Sequence, residues 1–257
     1  MRIPDTANGP LKARLIYEPA EKVITRWLAS AVVDFKNNLF KSLAYGGGLF
    51  VVGWISLTLL WYFDLGWALL PIIAGGMLIG PLAAVGTYRL SRRGQGAGGG
   101  GIASPSQVVL IVIILMVFAL AWIRAATLIF AIFFGLLPFA GFMETMVTLL
   151  SSPHGIAMVI VGSITGGLFA ALGFAVSVFS IPMLIDREID CFSAMGLSFN
   201  ATTHNFKLMT LWAAVICVAV LIGVVTGLAG LIVIFPLLGY ASWHAYCDLF
   251  KGETARL

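Results

Sequence analysis

Few side chains in this sequence are of a type that does chemistry, and their spacing limits what that chemistry is. Arg124 comes first. It lies about 17 residues into an apolar run, roughly 25 Å along a helix at 1.5 Å per residue. A charge placed there has to be offset by something. Two readings stand. Arg124 snorkels to the interface beside Trp122, or it forms a polar or lipid site with Glu144, an anionic ligand or a head group.

The histidines and cysteines give weaker signals. His244 and Cys247 share a helix face, with Cys191 and His204 placed toward the same membrane side, and four such ligands would suit zinc. The spacing lacks the paired-ligand pattern of zinc sites, and Trp243 and Tyr246 beside it read as an interfacial aromatic belt. No metal is expected. The three cysteines form no disulfide framework and read as reduced thiols. GQGAGG (94–99) matches a dinucleotide fingerprint in letters only, because it follows an apolar run and opens no phosphate-binding helix. No P-loop, nucleophile-elbow or HExxH pattern occurs. The expectation is a chain that is not an enzyme and has no catalytic residues and no cofactor.

The elements that would hold these residues are membrane helices. Of 257 residues 60% are hydrophobic and 10% are charged, against about 45–50% and 25% in soluble domains. Six apolar stretches, about 42–63, 66–90, 107–130, 156–182, 208–226 and 228–247, are each close to the ~20 residues that cross a bilayer. They are too long and too uniformly apolar for barrel strands. With the N-terminus inside, every lysine and arginine of the 15 except Arg124 falls on the cytoplasmic side. The fold class expected is therefore all-α, a polytopic bundle of about six transmembrane helices with both termini cytoplasmic. Residues 1–19 form an N-terminal tail, 42–250 the membrane domain with a Gly-rich cytoplasmic linker at 91–107, and 251–257 a C-terminal tail. The N-terminus has no apolar run of signal-peptide type.

Residues 20–41 are amphipathic, with Ile24, Trp27, Leu28, Ala31, Phe35 and Leu39 at helical spacing. The stretch is expected to lie in the interface through Trp27, Phe35 and Leu39, or to pack on the protein's own surface, and the two are compatible. Ile189, Phe192, Met195 and Phe199 repeat the pattern before the fifth span, and DFKNNLFK (34–41) resembles SFNATTHNFK (198–207). GPLAAVGTY (80–88) and FPLLGYASW (235–243) each put a proline in the second span of a pair, and SIPMLIDRE (180–188) puts one just before the charged end of span four. An amphipathic helix plus membrane hairpin, used three times in parallel, accounts for this. Small residues four apart, Gly76, Gly80 and Ala84, Gly162, Gly166 and Ala170, and Gly223 with Gly227, are expected to pack helices closely. The segment 125–153 reads as an outer interfacial helix or a re-entrant one.

AWIRAATLIFAIFFG (121–135), FAVSVFSIPMLIDREID (174–190) and LAGLIVIFPLLGYASWHAYCDLF (228–250) resemble a bacterial family of integral membrane proteins of unknown function, some of them labelled as cytochrome c oxidase subunits. The resemblance runs from about Trp27 to Phe250, brings no catalytic residues and implies an association with respiration at most. An oxidase catalytic subunit needs haem- and copper-binding histidines inside the bilayer, and His154, His204 and His244 are all outside midspan. The function expected is a non-catalytic accessory or assembly subunit of a larger membrane complex in the bacterial inner membrane. A small-solute transporter or channel and a lipid-interacting, membrane-shaping protein are the alternatives. The partners expected are membrane lipids and other subunits, with no nucleic acid.

Overall fold

The computed structural model describes residues 13–63, 84–94, 102–135, 147 and 151–252. Among them are nine helices: α1 (Ala20–Asn37), α2 (Leu39–Tyr62), α3 (Val85–Gly94), α4 (Pro105–Phe134), α5 (Pro153–Ser177), α6 (Ser180–Asp186), α7 (Cys191–His204), α8 (Phe206–Val225) and α9 (Leu231–Phe250). The architecture is all-α. Four segments are long and apolar enough to cross a bilayer: α2, α4, α5 with α6, and α8.

Local chemistry sets the boundaries. Pro105 and Pro153 open their helices in the first turn, where the missing N–H costs nothing. Ser152 accepts a hydrogen bond from the Gly155 amide at 3.0 Å, and Asp190 accepts one from the Ser193 amide at 2.9 Å, each satisfying an orphan donor. Pro182 removes one rung from the helical ladder, and the helix breaks at Val178 and Phe179 before resuming as α6. The turn between α8 and α9 carries Gly227 at φ +64° and Leu228 at φ +68°. The second value is unusual for a residue with a Cβ. Trp54 of α2 donates to the Gly227 carbonyl at 3.1 Å and so braces this turn.

Two junctions are alike. α1 gives way to α2 at Asn38 (φ −123°, ψ 32°), and α7 gives way to α8 at Asn205 (φ −107°, ψ 40°). Each asparagine donates its side-chain N–H₂ back four residues, to the Asp34 carbonyl at 3.2 Å and the Ala201 carbonyl at 3.1 Å. These are the stretches whose sequences resemble one another. The amphipathic segment expected over 20–41 is thus two helices that change direction at Asn38.

α9 is the hub. α1, α2, α3 and α8 all pack on it, while α4 packs on α5, and α5 and α6 on α7. α9 changes character along its length. Its first half is part-exposed, and from Gly239 to Phe250 every residue is buried. Span six therefore ends early as a lipid-facing element, because its second half enters a packed polar end. Span two falls largely outside the described residues, as do Asp64 and Gly66 of its turn. α3 continues to Gly94 and α4 starts at Pro105, so helix occupies both ends of the stretch expected as linker 91–107.

The small residues sort by what surrounds them. Gly166 lies against the Trp122 ring, and Gly223 is filled by Leu231. Ala84 is buried. Gly162 and Gly227 have open space where a Cβ would stand, and Ala170 is exposed, so these three bring no helices together. Gly76 and Gly80 lie outside the described residues. The tightest approach to another helix's backbone is at Gly46, unmarked by any four-residue repeat. A Cβ there would overlap the Ile232 carbonyl, whose ladder partner is missing because residue 236 is proline.

Candidate functional site: three carboxylates at the basic end

Asp34, Asp186 and Asp248 stand among apolar neighbours in VVDFK, LIDRE and YCDLF. A carboxylate removed from water needs charged or donor partners. Each of these has them, and the partners lie far away in sequence. Asp248, 2% exposed, accepts from the Arg26 guanidinium at 2.9 Å and from the Trp27 indole N–H at 3.0 Å, both through Oδ2. Arg26 also pairs with Glu18 at 2.9 Å. Burial pulls the Arg26 pKa down, but the bonds to Asp248 and Glu18 outweigh it and leave the pKa raised. Arg26 therefore keeps its positive charge.

Asp34 joins α1, α3 and α9. Ser91 donates to its Oδ2, and His244 Nε2 lies 3.0 Å from the same oxygen. Serine, aspartate and histidine are present, yet both partners meet the aspartate. The serine–histidine bond that would activate a nucleophile is not the one made here. A short step away Tyr240 and Ser42 share a 2.7 Å hydrogen bond, and Tyr88 stacks on Trp243 with ring centroids 6.3 Å apart.

Asp186 ends α6 and collects most of the remaining positive charge. Lys251 Nζ is 3.0 Å away, Arg92 Nε 3.3 Å and Arg187 Nε 3.7 Å, and the Tyr246 hydroxyl donates at 3.0 Å. The Arg92 Nε contact has ion-pair distance without hydrogen-bond geometry. Arg92 instead donates through Nη1 to the Ile185 carbonyl at 2.9 Å, where a cation also complements the C-terminal end of the helix. Lys251 lies over the Trp243 and Tyr246 rings at 5.4 and 5.8 Å.

The segment before α1 is strapped across this end. The Arg14 amide donates to the Leu249 carbonyl at 2.9 Å, and Asn205 receives the Ile16 amide at 3.0 Å while donating to the Arg14 carbonyl at 3.2 Å. α1 buries Val23, Ile24, Trp27 and Ala31, with Trp27 edge-on to Trp212 at 5.7 Å. Phe35 is half-buried against the same core and Leu39 is exposed.

Arg124 is exposed on α4 and makes no ion pair among the described residues; Glu144 lies outside them. His204 is exposed and its Nδ1 contacts the Asn200 carbonyl at 2.9 Å. Burial, and then the neighbouring Asp190 charge, push the Cys191 thiol up, away from the thiolate that a metal or a nucleophilic role requires. No group of three His, Cys, Asp or Glu side chains among the described residues could hold a metal ion. The three carboxylates were missed in the sequence, although an acid flanked by apolar residues at a span end is a recognisable signal.

Neither a curated protein nor a solved structure matches the chain. Residues 69–186, a little under half of the 257, match the family described as predicted integral membrane protein (DUF2189). That stretch contains α3, α4, α5 and α6 and ends on Asp186. Over that stretch the chain is similar to this family, and it is an integral membrane protein with several apolar helices.

Proposed function

We propose that the chain is a non-catalytic accessory or assembly subunit of a larger membrane complex. The observation that carries the reading is the use of three acids at the basic end. Asp34, Asp186 and Asp248 are each engaged in tying helices together, and none is arranged as a base, a nucleophile partner or a metal ligand. Three hydroxyls of the apolar helices behave in the same way. Ser56, Thr58 and Thr127 each donate to a carbonyl four residues earlier in their own helix. A coupled transporter needs polar groups turned toward a pathway at midplane, and these turn inward on the backbone.

The finer parts of the reading are six spans, a cytoplasmic N-terminus and the bacterial inner membrane. The residue spacing and the positive-inside bias support them. A cysteine at position 64 should then react with an impermeant reagent from outside, and one at position 95 only after the membrane is breached. The matched Asn38 and Asn205 junctions favour a parallel repeat. A respiratory host is the version suggested by the resemblance to proteins labelled as oxidase subunits.

The test is purification of the tagged full chain from native membranes in mild detergent. A stoichiometric membrane partner that survives a second, orthogonal purification step is the expected result. A chain that travels alone, and that supports solute flux in reconstituted vesicles, would replace this reading with a transporter.

A further inference from the structure

Asp186 is one carboxylate among several cations. Arg92, Arg187 and Lys251 approach it with side chains only 15%, 28% and 16% exposed. Arg92 is also occupied by the carbonyls of Ile185 and Asp186. Even with Arg92 set aside, Arg187 and Lys251 share a single negative charge and leave a whole positive charge over, in a place where water is scarce. Like charges held this close repel more strongly than they would in water. The nearest acids in sequence do not supply the balance. Glu188 is exposed and forms no ion pair among the described residues, and Asp190 is committed to capping α7. Glu253 lies outside the described residues.

The depth of the cluster is fixed by α4. The Ser104 hydroxyl donates to the Arg187 carbonyl at 3.1 Å, and the Ala103 amide donates to the Ile185 carbonyl at 3.1 Å. Val109, 59% exposed, is the first large apolar side chain of α4 turned outward. Five residues separate it from Ser104, about 8 Å along a helix. The head-group layer on each face of a bilayer is about 5–8 Å thick, so the cations lie at head-group level when Val109 meets the acyl chains. α7, which starts four residues after Arg187, turns Phe192 and Phe199 outward at 69% and 44% exposure. Two phenylalanines seven residues apart on one face suit the boundary between head groups and chains.

We infer that Arg187 and Lys251, with Arg92 behind them, form a binding site for a phosphate-type anion, occupied by the head group of an acidic phospholipid. Guanidinium and ammonium donors converging on one point match phosphate oxygens. Phe192 and Phe199 would hold the neighbouring acyl chains. The site does not depend on the function proposed above.

The experiment places the full chain in nanodiscs of phosphatidylcholine alone, of phosphatidylcholine mixed with phosphatidylglycerol, and of phosphatidylcholine with millimolar inorganic phosphate in the buffer. Phosphatidylglycerol should raise the thermal midpoint by roughly 5 °C through preferential binding to the folded state. The Arg187→Gln, Lys251→Gln double variant should lose that rise. Lys41→Gln, a basic change elsewhere on the chain, should keep it, and so should Lys251→Arg. A rise given equally by inorganic phosphate and lost in the double variant keeps the site but makes free phosphate its ligand. Should the double variant fold poorly, native mass spectrometry of the wild-type chain should retain phosphatidylglycerol in preference to phosphatidylcholine. The inference is overturned by a midpoint indifferent to phosphatidylglycerol, by a rise that survives in the double variant, or by loss of the rise in Lys41→Gln. A lipid-independent midpoint that falls on Glu253→Gln would likewise overturn it, by giving the surplus charge to an internal partner.

Discussion

At Asn38 and at Asn205 the chain leaves one helix and enters the next with nearly the same backbone turn, yet α1 and α7 meet different surroundings. α1 turns Trp27 inward against Trp212 and is fastened to α9 through Asp248 and His244. α7 buries Cys191, Ala194, Ser198 and Ala201, all small, and leaves Phe192 and Phe199 outside. The turn chemistry is the same in both. What differs is whether a distant helix offers polar partners to the amphipathic helix, and α9 offers Asp248 and His244 to α1. Position in a repeated pattern therefore sets the local geometry, and long-range charge complementarity sets the burial.

The sharpest way to break this contrast is to remove the acid. Asp248→Asn should strip the buried charge from Arg26 and weaken the hold on Trp27. Breaking a buried pair from one side costs about 3–5 kcal/mol, and the lower end applies because Glu18 still pairs with Arg26. A large fall in thermal midpoint is expected, with α1 amides losing protection from hydrogen exchange while those of α7 keep theirs. Equal loss in both helices would show that α1 is not separately fastened.

The junctions themselves should differ next. Asn205→Ala removes bonds to the Ile16 amide and to the Arg14 and Ala201 carbonyls, so about 2 kcal/mol is expected. Asn38→Ala removes one side-chain bond and should cost about 1 kcal/mol or less. Denaturation in matched detergent decides between them, and the reverse order would mean that the strap over Asn205 carries little.

This ranking was only half legible in the sequence. Helical periodicity, apolar run length and the resemblance of DFKNNLFK to SFNATTHNFK were enough to expect amphipathic helices entering spans, because those signals are local. The carboxylate partners were not legible, since Arg26 and Asp248 are 222 residues apart and nothing in either stretch points to the other. Small residues at four-residue spacing misled in part for the same reason. Gly162 and Ala170 satisfy the spacing but have no neighbour, whereas Gly46 is crowded by a carbonyl that Pro236 leaves without its ladder partner. Emphasis on Arg124 followed from its isolation among apolar residues, and in the fold it stands exposed with its expected partner outside the described residues.

Smaller effects sharpen the α7 side. Phe192→Ser with Phe199→Ser should leave the fold nearly unchanged, within about 0.5 kcal/mol in detergent, and should lower the stability gained on transfer to bilayers. Loss of stability in detergent as well would place those rings inside the fold. The smallest effect is at Asp190. Its hydrogen bonds from the Ser193 side chain and amide hold its carboxyl below the usual range. A depressed folded pKa gives stability that is present above the ordinary aspartate pKa of about 3.9. That contribution is lost as pH falls through the folded value. Asp190→Asn should therefore be less stable than wild type near neutral pH, and the difference should shrink in acid. A constant difference across that range would rule the linkage out.

The fastening of α1 to α9 also constrains how the protein is made. Arg26 and Trp27 leave the ribosome more than two hundred residues ahead of Asp248, the buried acceptor they share. At about 5–20 residues per second, roughly 10–45 s pass between them. Throughout that interval α1 has its apolar face made and its docking surface missing, while successive hydrophobic segments pass into the membrane. A nascent chain in that state is a client for the insertion machinery or for a holding chaperone, and a ribosome that stalls before α9 strands α1 as an exposed degradation signal. The late helix α9 is thus the one that certifies the early helix α1, which makes loss of α9 a lesion felt at α1.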